Sequence, residues 1–230
     1  MKREMLRNSK GWLVSYDGRQ VIPADLLPEN TERPGYHYCI NLKGCNGSGK
    51  STVVFEMLRT GNWVYITTEA HQKKPIAIYS RKYNTVILGT YMSQCGGCDT
   101  LSNTKVVAEL LKLFWEKDVN ILYEGVIVGD IKSTFYELMK ELRERYYRHV
   151  SFCFMGTTIR ECLARVQKRN GGKEVNENLI RGKYATSIRQ LKWYLEQGDV
   201  ECTVLDTKHP KNVVFKKFLE LYSLGELTCF

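Results

Sequence analysis

The sequence predicts a three-layer α/β sandwich with a mostly parallel sheet, and three observations lead to that prediction. Apolar segments with the length of strands alternate with longer segments that have helical periodicity. The connections between successive strands have the lengths of the crossovers that parallel pairing needs. A glycine-rich loop at 44–52 lies between the first core strand and a helix.

The predicted elements divide the chain into two parts. Residues 1–35 are predicted as an N-terminal appendage with a short hairpin at 12–22, and residues 36–230 as the main domain. Strands of the main domain are predicted at 38–42, 63–66, 76–79, 85–88, 119–123, 150–155 and 201–205, the third and fourth forming a hairpin. Helices are predicted at 50–59, 103–117, 133–148, 158–167, 177–197 and 212–222.

The composition is that of a globular protein of the cytoplasm. The chain has 230 residues, of which 43% are hydrophobic and 26% charged, enough to bury a full core. Since no run of about 18 apolar residues occurs and the first residues have no apolar signal segment, we expect neither a membrane span nor secretion.

Eight cysteines occur without the spacing of a disulfide framework, which favours a reducing compartment. Cys95 and Cys98 have the spacing of half a zinc site or of a redox pair. No second Cys or His pair at ligand spacing completes a tetrahedral site, so a metal or redox role stays a minor alternative.

The net charge of +9 is concentrated in one stretch. Between Lys140 and Lys192 there are thirteen basic and five acidic residues, a net charge of +8. This predicts an anionic partner, which is either the nucleotide of a phosphotransferase or, in addition, a nucleic acid substrate. Charge alone does not choose between them.

The loop 44–52 has the pattern GxxxxGK[ST] of a P-loop. Glycines let consecutive N–H groups turn toward an anionic phosphate, and the positive end of the following helix points at the same ligand. Lys50 is expected to reach the β and γ phosphates of ATP, and the Ser51 hydroxyl to bind Mg²⁺. The predicted ATP-binding residues are Gly44, Cys45, Asn46, Gly47, Ser48, Gly49, Lys50, Ser51 and Thr52.

Two further groups are predicted to act on the nucleotide. Glu124 ends a predicted strand, where its carboxylate can hold Mg²⁺, directly or through water, or orient a nucleophile. Arg165 and Arg169 lie four residues apart and share a helical face just before Gly171 and Gly172. Two guanidinium groups on a hinged lid at 165–176 would stabilise the transferred phosphoryl group.

The run Arg165-x3-Arg169-x-Gly171-Gly172-x2-Val175, which continues to Ile180-x3-Tyr184-x2-Ser187, resembles the lid of the zeta-toxin and polynucleotide-kinase-like group of P-loop kinases. The resemblance covers residues 38–205 and implies that Arg165 and Arg169 contact ATP phosphates. Many zeta toxins have His where this chain has Lys173, which argues against their sugar-nucleotide substrate.

The candidate catalytic base is a second feature in which this chain differs from that group. Its members usually place an Asp just past the second strand, and this chain offers two alternatives. Glu69 follows the predicted strand 63–66, and Asp99 follows a glycine-containing loop. Asp99 would equally suit the entry of a helix.

Three elements also resemble the bacteriophage P-loop kinases that phosphorylate 5-hydroxymethyluracil bases within DNA: Gly89-x-Tyr91, Cys95-Gly96-Gly97-Cys98-Asp99 and Tyr123-Glu124-Gly125. The resemblance implies a DNA substrate and the host cytoplasm. Tyr79, Tyr83 or Tyr91 could then stack on an extruded base, although core packing is the favoured role of each.

The sequence therefore predicts an ATP- and Mg²⁺-dependent kinase in which Glu69 or Asp99 takes the proton of a hydroxyl acceptor, preferably on nucleic acid. The alternatives are a kinase of a free nucleoside, nucleotide or nucleotide sugar, and a nucleotide-dependent ATPase switch. No guanine-specific Asn-Lys-x-Asp motif is present.

Overall fold

The structure is a computed structural model, which describes residues 4–28, 37–60, 62–91, 96–125, 132–146, 149–171 and 173–224. Cys95 and Gly172, which the sequence singled out, lie outside the described residues. The strands are β1 (Met5–Arg7), β2 (Leu13–Tyr16), β3 (Arg19–Pro23), β4 (Tyr38–Lys43), β5 (Trp63–Thr67), β6 (Ala77–Ser80), β7 (Thr85–Leu88), β8 (Asn120–Glu124), β9 (His149–Met155) and β10 (Glu201–Leu205). The helices are α1 (Lys50–Arg59), α2 (Thr104–Trp115), α3 (Lys132–Tyr146), α4 (Ile159–Arg169), α5 (Glu177–Gln197) and α6 (Lys211–Leu221).

The described strands form one sheet in the order β1-β2-β3-β5-β6-β7-β8-β4-β9-β10. From β7 to β10 all neighbours are parallel. The β5–β6 and β6–β7 pairs are antiparallel, so the predicted hairpin at 76–88 is confirmed. In the parallel part, the strand beside β8 is β7, and β5 lies two strands further out.

Apolar residues on both faces of the sheet form two layers of core. Successive residues of a strand point to opposite faces, and in β4 Cys39 joins one cluster while Ile40 joins the other. The first cluster contains residues of α2, α3 and α5, such as Leu111, Met139 and Tyr194. The second contains residues of α1 and α6. Helices therefore cover both faces, and the predicted three-layer α/β sandwich is confirmed.

The N-terminal strands continue the main sheet. The predicted hairpin is present as β2 and β3, which pair antiparallel. Its turn has two left-handed residues, Asp17 (φ 54°) and Gly18 (φ 75°), as a two-residue hairpin turn requires. β3 pairs in parallel with β5, and β1, which the sequence did not predict, pairs with β2. The division of the chain at residue 35 stays a prediction.

In the part of the chain that the structure describes, no helix is long and apolar enough to cross a membrane.

Candidate active site

The loop 44–52 joins β4 to α1, and its backbone has the conformation that the glycines were predicted to provide. Gly47 has φ of 80°, and Gly49, which precedes the first residue of α1, has φ of 105°. A Cβ atom on Gly47 would lie 2.4 Å from the backbone oxygen of Cys162 in α4. The loop therefore packs directly against α4, and only glycine fits this position.

Lys50 is buried and its ammonium group lies within the loop. Its Nζ donates hydrogen bonds to the backbone oxygens of Gly44 at 2.7 Å and Cys45 at 3.2 Å. The N-terminus of α1 begins at the same residue. A positive side chain and the positive end of a helix thus lie in one concave loop, which is an anion-binding arrangement.

Glu124 ends β8 beside this loop and is 3% exposed. Its Oε1 accepts hydrogen bonds from the Ser51 hydroxyl at 2.8 Å and the Tyr91 hydroxyl at 3.2 Å. Burial raises the pKa of the Glu124 carboxyl, while the Lys50 charge and the bond from Ser51 lower it in part. Burial also raises the pKa of Tyr91 well above its usual value, so the phenol stays a donor. The two predicted metal ligands, Ser51 and Glu124, are therefore in contact.

Asp99 lies next to Glu124. It belongs to a short 3-10 helix, Gly97–Thr100, and its Oδ1 lies 2.9 Å from where a Cβ atom on Gly125 would be. The Asp99 charge contributes to the raised pKa of Glu124. Its side chain is exposed, and α2 is capped instead by Asn103, which accepts a hydrogen bond from the Val106 N–H.

Glu69, the other candidate base, is exposed in a 3-10 turn after β5 and is not among the residues that line the cavity of the P-loop. Cys98 is fully buried, and burial raises the pKa of its thiol well above the usual value. Among the described residues, no group of three or more His, Cys, Asp or Glu side chains could hold a metal ion.

Arg165 and Arg169 extend from α4 over the loop. The Arg165 guanidinium lies 3.5 Å from the backbone oxygens of Gly47 and Ser48 and 3.3 Å from that of Thr207. The helix begins with a capping box in which the side chains of Thr158 and Glu161 each bond the other residue's backbone N–H. It ends two residues later than predicted, so Arg169 lies in its last turn.

Sequence reasoning missed two threonines that tie the loop to the ends of β9 and β10. The Thr157 hydroxyl donates to the Ser48 backbone oxygen at 2.6 Å and contacts the Thr207 hydroxyl. Both threonines are buried, and each lies two residues beyond the end of its strand. Ligands of parallel α/β sheets bind beyond the carboxyl ends of the strands, and this rule could have identified them.

These parts enclose one cavity of about 490 Å³. On one side of the loop lie Gly96, Asp99 and Glu124, and on the other lie the two arginines with the segment after β10. The lining residues are Asn46, Gly47, Ser48, Gly49, Lys50, Ser51, Thr52, Phe55, Gly96, Asp99, Glu124, Arg165, Arg169, Thr207, His209, Lys211 and Val214. Gly44 and Cys45 line a second cavity of about 240 Å³ on the other side of the loop.

The order of the parts along the chain, with the loop before the carboxylate and the carboxylate before the arginine helix, is that of a P-loop kinase, and the chain belongs to this class. A model of the 5-hmdU DNA kinase family matches residues 24–193. The chain therefore belongs to the 5-hmdU DNA kinase family, and the predicted resemblance is confirmed.

Known proteins that resemble the chain include two phage relatives. The 5-hmdU DNA kinase of Bacillus phage SP10 is 34% identical over 73% of this chain but only 27% of its own length. The 5-hmdU DNA kinase of Pseudomonas phage M6 is 31% identical over 70% of this chain and 87% of its own length. Among solved structures, a gluconokinase from Sinorhizobium meliloti 1021 aligns over 83% of this chain and 92% of its own, with a TM-score of 0.45 and 15% identity.

Proposed function

We propose that the protein transfers the γ-phosphate of ATP to the hydroxymethyl group of 5-hydroxymethyluracil in DNA. The observation that carries the proposal is the contact of Glu124 with Ser51 of the P-loop, with Asp99 beside it in the same cavity. The family and the names of the relatives support this acceptor. We place the reaction in the cytoplasm, which suits the unbridged cysteines of the described residues.

The nucleotide would lie across the P-loop. Its β and γ phosphates would occupy the loop and the N-terminus of α1, with Lys50 beside them. Its nucleoside would extend toward the segment after β10, where Thr207 and His209 line the cavity. Arg165 and Arg169 lie above the loop, where guanidinium groups would offset the charge that develops on the transferred group.

The residues also suit Mg²⁺. Ser51 and Glu124 supply two oxygen donors in contact, and Mg²⁺ is usually held by one or two protein oxygens together with substrate phosphates and water. We assign these two residues as its ligands, Glu124 acting directly or through water. Bound there, Mg²⁺ would neutralise charge on the phosphates.

Asp99 is proposed as the base that takes the acceptor proton. The hydroxyl oxygen of the acceptor attacks the γ phosphorus, its proton passes to Asp99, and ADP leaves with the electron pair of the broken P–O bond. In the topology of the sheet the strand next to β8 is β7, so Asp99, not Glu69, follows the second strand of the parallel core. Glu69 is the weaker alternative because it does not line the cavity.

The test uses γ-labelled ATP with a panel of acceptors: duplex DNA with and without 5-hydroxymethyluracil, 5′-hydroxyl oligonucleotides and free nucleosides. We expect label only on the hydroxymethylated DNA and loss of labelling in Lys50→Ala, with the fold of that variant intact by circular dichroism. Label on a free nucleoside would show that the acceptor is a nucleoside and not DNA. Release of free phosphate alone would indicate an ATPase switch.

A further inference from the structure

Phe55 is an aromatic residue of the cavity wall for which the reaction described above has no role. It lies in α1 and is half-buried. Ser51 and Phe55 are four residues apart and share one face of the helix. Because Ser51 contacts Glu124, Phe55 lies on the side of the P-loop where Glu124 and Asp99 are found. Arg165 and His209 line the opposite side.

The ring of Phe55 is held in place by Tyr91. The two rings are perpendicular, with centroids 5.7 Å apart and an interplanar angle of 86°, a favourable edge-to-face arrangement. Tyr91 is itself fixed, since its hydroxyl bonds Glu124 and a Cβ atom on Gly96 would lie 2.4 Å from its ring. Through these contacts Tyr91 fixes the position of the Phe55 ring relative to the Glu124 carboxylate.

The tyrosines that the sequence offered for stacking have other places. Tyr83 is buried against Phe215, the Tyr79 hydroxyl donates to Asn84 at 2.8 Å, and Tyr91 lies behind Phe55. None of the three lines the cavity. Among the described residues that line it, Phe55 alone is a Phe, Tyr or Trp.

We propose that Phe55 is the surface on which the extruded pyrimidine stacks during phosphoryl transfer. A base inside a duplex is out of reach of a cavity, so it must leave the stack, and aromatic side chains hold such bases by their faces. A base on Phe55 would lie on the side of the cavity that holds Asp99. This inference rests on the proposed DNA acceptor and names the residue that binds its base.

The test compares Phe55→Leu and Phe55→Trp with the unaltered protein on DNA that contains 5-hydroxymethyluracil. Loss of base stacking should lower kcat/KM for DNA in Phe55→Leu by about 10- to 100-fold. Phe55→Trp should recover most of it. The KM for ATP and the hydrolysis of ATP without DNA should stay unchanged. Tyr79→Leu is the matched control, because it removes another half-buried aromatic ring that does not line the cavity.

Equal kcat/KM for DNA in Phe55→Leu and the unaltered protein would overturn the inference, and a raised KM for ATP would assign the ring to the nucleotide instead. If Phe55→Leu does not fold, the Phe55→Trp protein serves alone. Its Trp fluorescence, corrected for the unaltered protein, should be quenched by hydroxymethylated single-stranded DNA, and absence of quenching would overturn the inference. If the unaltered protein itself does not phosphorylate that DNA, the proposed function is wrong, independently of the role of Phe55.

Discussion

At the scale of single residues, Glu124 has a conflict between its position and its chemistry. A carboxyl group that holds Mg²⁺, as we propose for Glu124, must be ionised, whereas burial favours the protonated acid and raises its pKa above the usual 4.5. The Lys50 charge and the bonds from Ser51 and Tyr91 reduce that cost without removing it. In the folded protein the ionised carboxylate is therefore less favourable than it would be in water, and a bound cation would stabilise it.

Glu124→Gln is expected to lose activity and gain stability. Apparent Mg²⁺ affinity should fall by about 10- to 100-fold or more. Since the pKa is raised in the folded state, the ionised group lowers the free energy of unfolding at pH values above that pKa, and the penalty disappears as the pH falls through it. The gain in melting temperature without Mg²⁺ should therefore be present at neutral pH and vanish in acid.

Glu69→Gln is the control for both measurements. Because Glu69 is exposed, this substitution should change neither the apparent Mg²⁺ affinity nor the melting temperature. A Glu124→Gln protein that is less stable than the unaltered one at neutral pH would show that the hydrogen bonds outweigh the burial. The same raised pKa implies that Mg²⁺ dependence weakens in acid at a higher pH than for an exposed glutamate.

Substitution can decide whether Asp99 or Glu69 is the catalytic base. Asp99→Asn keeps the size of the side chain but cannot take a proton, so we expect kcat for transfer to fall by about 100- to 10,000-fold with the KM for ATP unchanged. Glu69→Gln should keep nearly full activity. Single-turnover transfer of labelled phosphate measures both, and the reverse result would move the base to Glu69.

At the scale of elements, the contact of the P-loop with α4 holds the site together. Cys45 of the loop clusters with Cys162 and Val166 of α4 and Ile180 of α5, and a hydrogen bond from Cys162 lowers the pKa of the Cys45 thiol. The arginine helix α4 thus packs directly against the loop that would bind phosphate.

A comparison of Gly47→Ala with Gly171→Ala separates the effect of this contact from the effect of the backbone conformation. Both glycines are left-handed, with φ of 80° and 64°, but only Gly47 faces a backbone atom, while nothing lies within 4 Å of a Cβ on Gly171. The backbone conformation alone costs about 1–2 kcal/mol in each variant. Gly47→Ala should lose more stability in urea unfolding and should also raise the KM for ATP. Equal losses would mean that the loop yields without disturbing α4.

The elements were predictable from the sequence because periodicity and turn residues are local. The bounds of α1, α5, β7 and β10 agree with the prediction, and those of the other predicted elements from residue 38 onward differ by one or two residues. Which strand lies beside β8 was not predictable, because it depends on the pairing of β7 with β8 across α2, and the β5–β6–β7 meander leaves β5 two strands further out. For that reason Glu69 and Asp99 could not be separated. Thr157 and Thr207 carry no motif, and only their positions beyond the carboxyl ends of β9 and β10 could have indicated them.

At the scale of the whole molecule, positive charge is concentrated in one stretch of the chain. The net charge is +9, and the stretch 140–192, which runs from the end of α3 through α4 to most of α5, contributes +8. Lys168 and Lys173 are exposed at the end of α4 and in the segment after it. The proposed DNA substrate would approach this surface because each phosphate that meets a Lys or Arg releases bound counterions.

The proposed DNA interface predicts a strong salt dependence with a defined origin. Between about 50 and about 200 mM salt, the affinity for DNA should fall by about threefold for every phosphate contacted, whereas ATP hydrolysis without DNA should change little. Lys168→Gln with Lys173→Gln should reduce the slope of log affinity against log salt by about one for each lost contact. Lys105→Gln with Lys216→Gln removes the same charge from exposed sites on α2 and α6 and should leave the slope unchanged. Equal slopes in both double variants would place the DNA elsewhere, since net charge alone acts on the two variants alike.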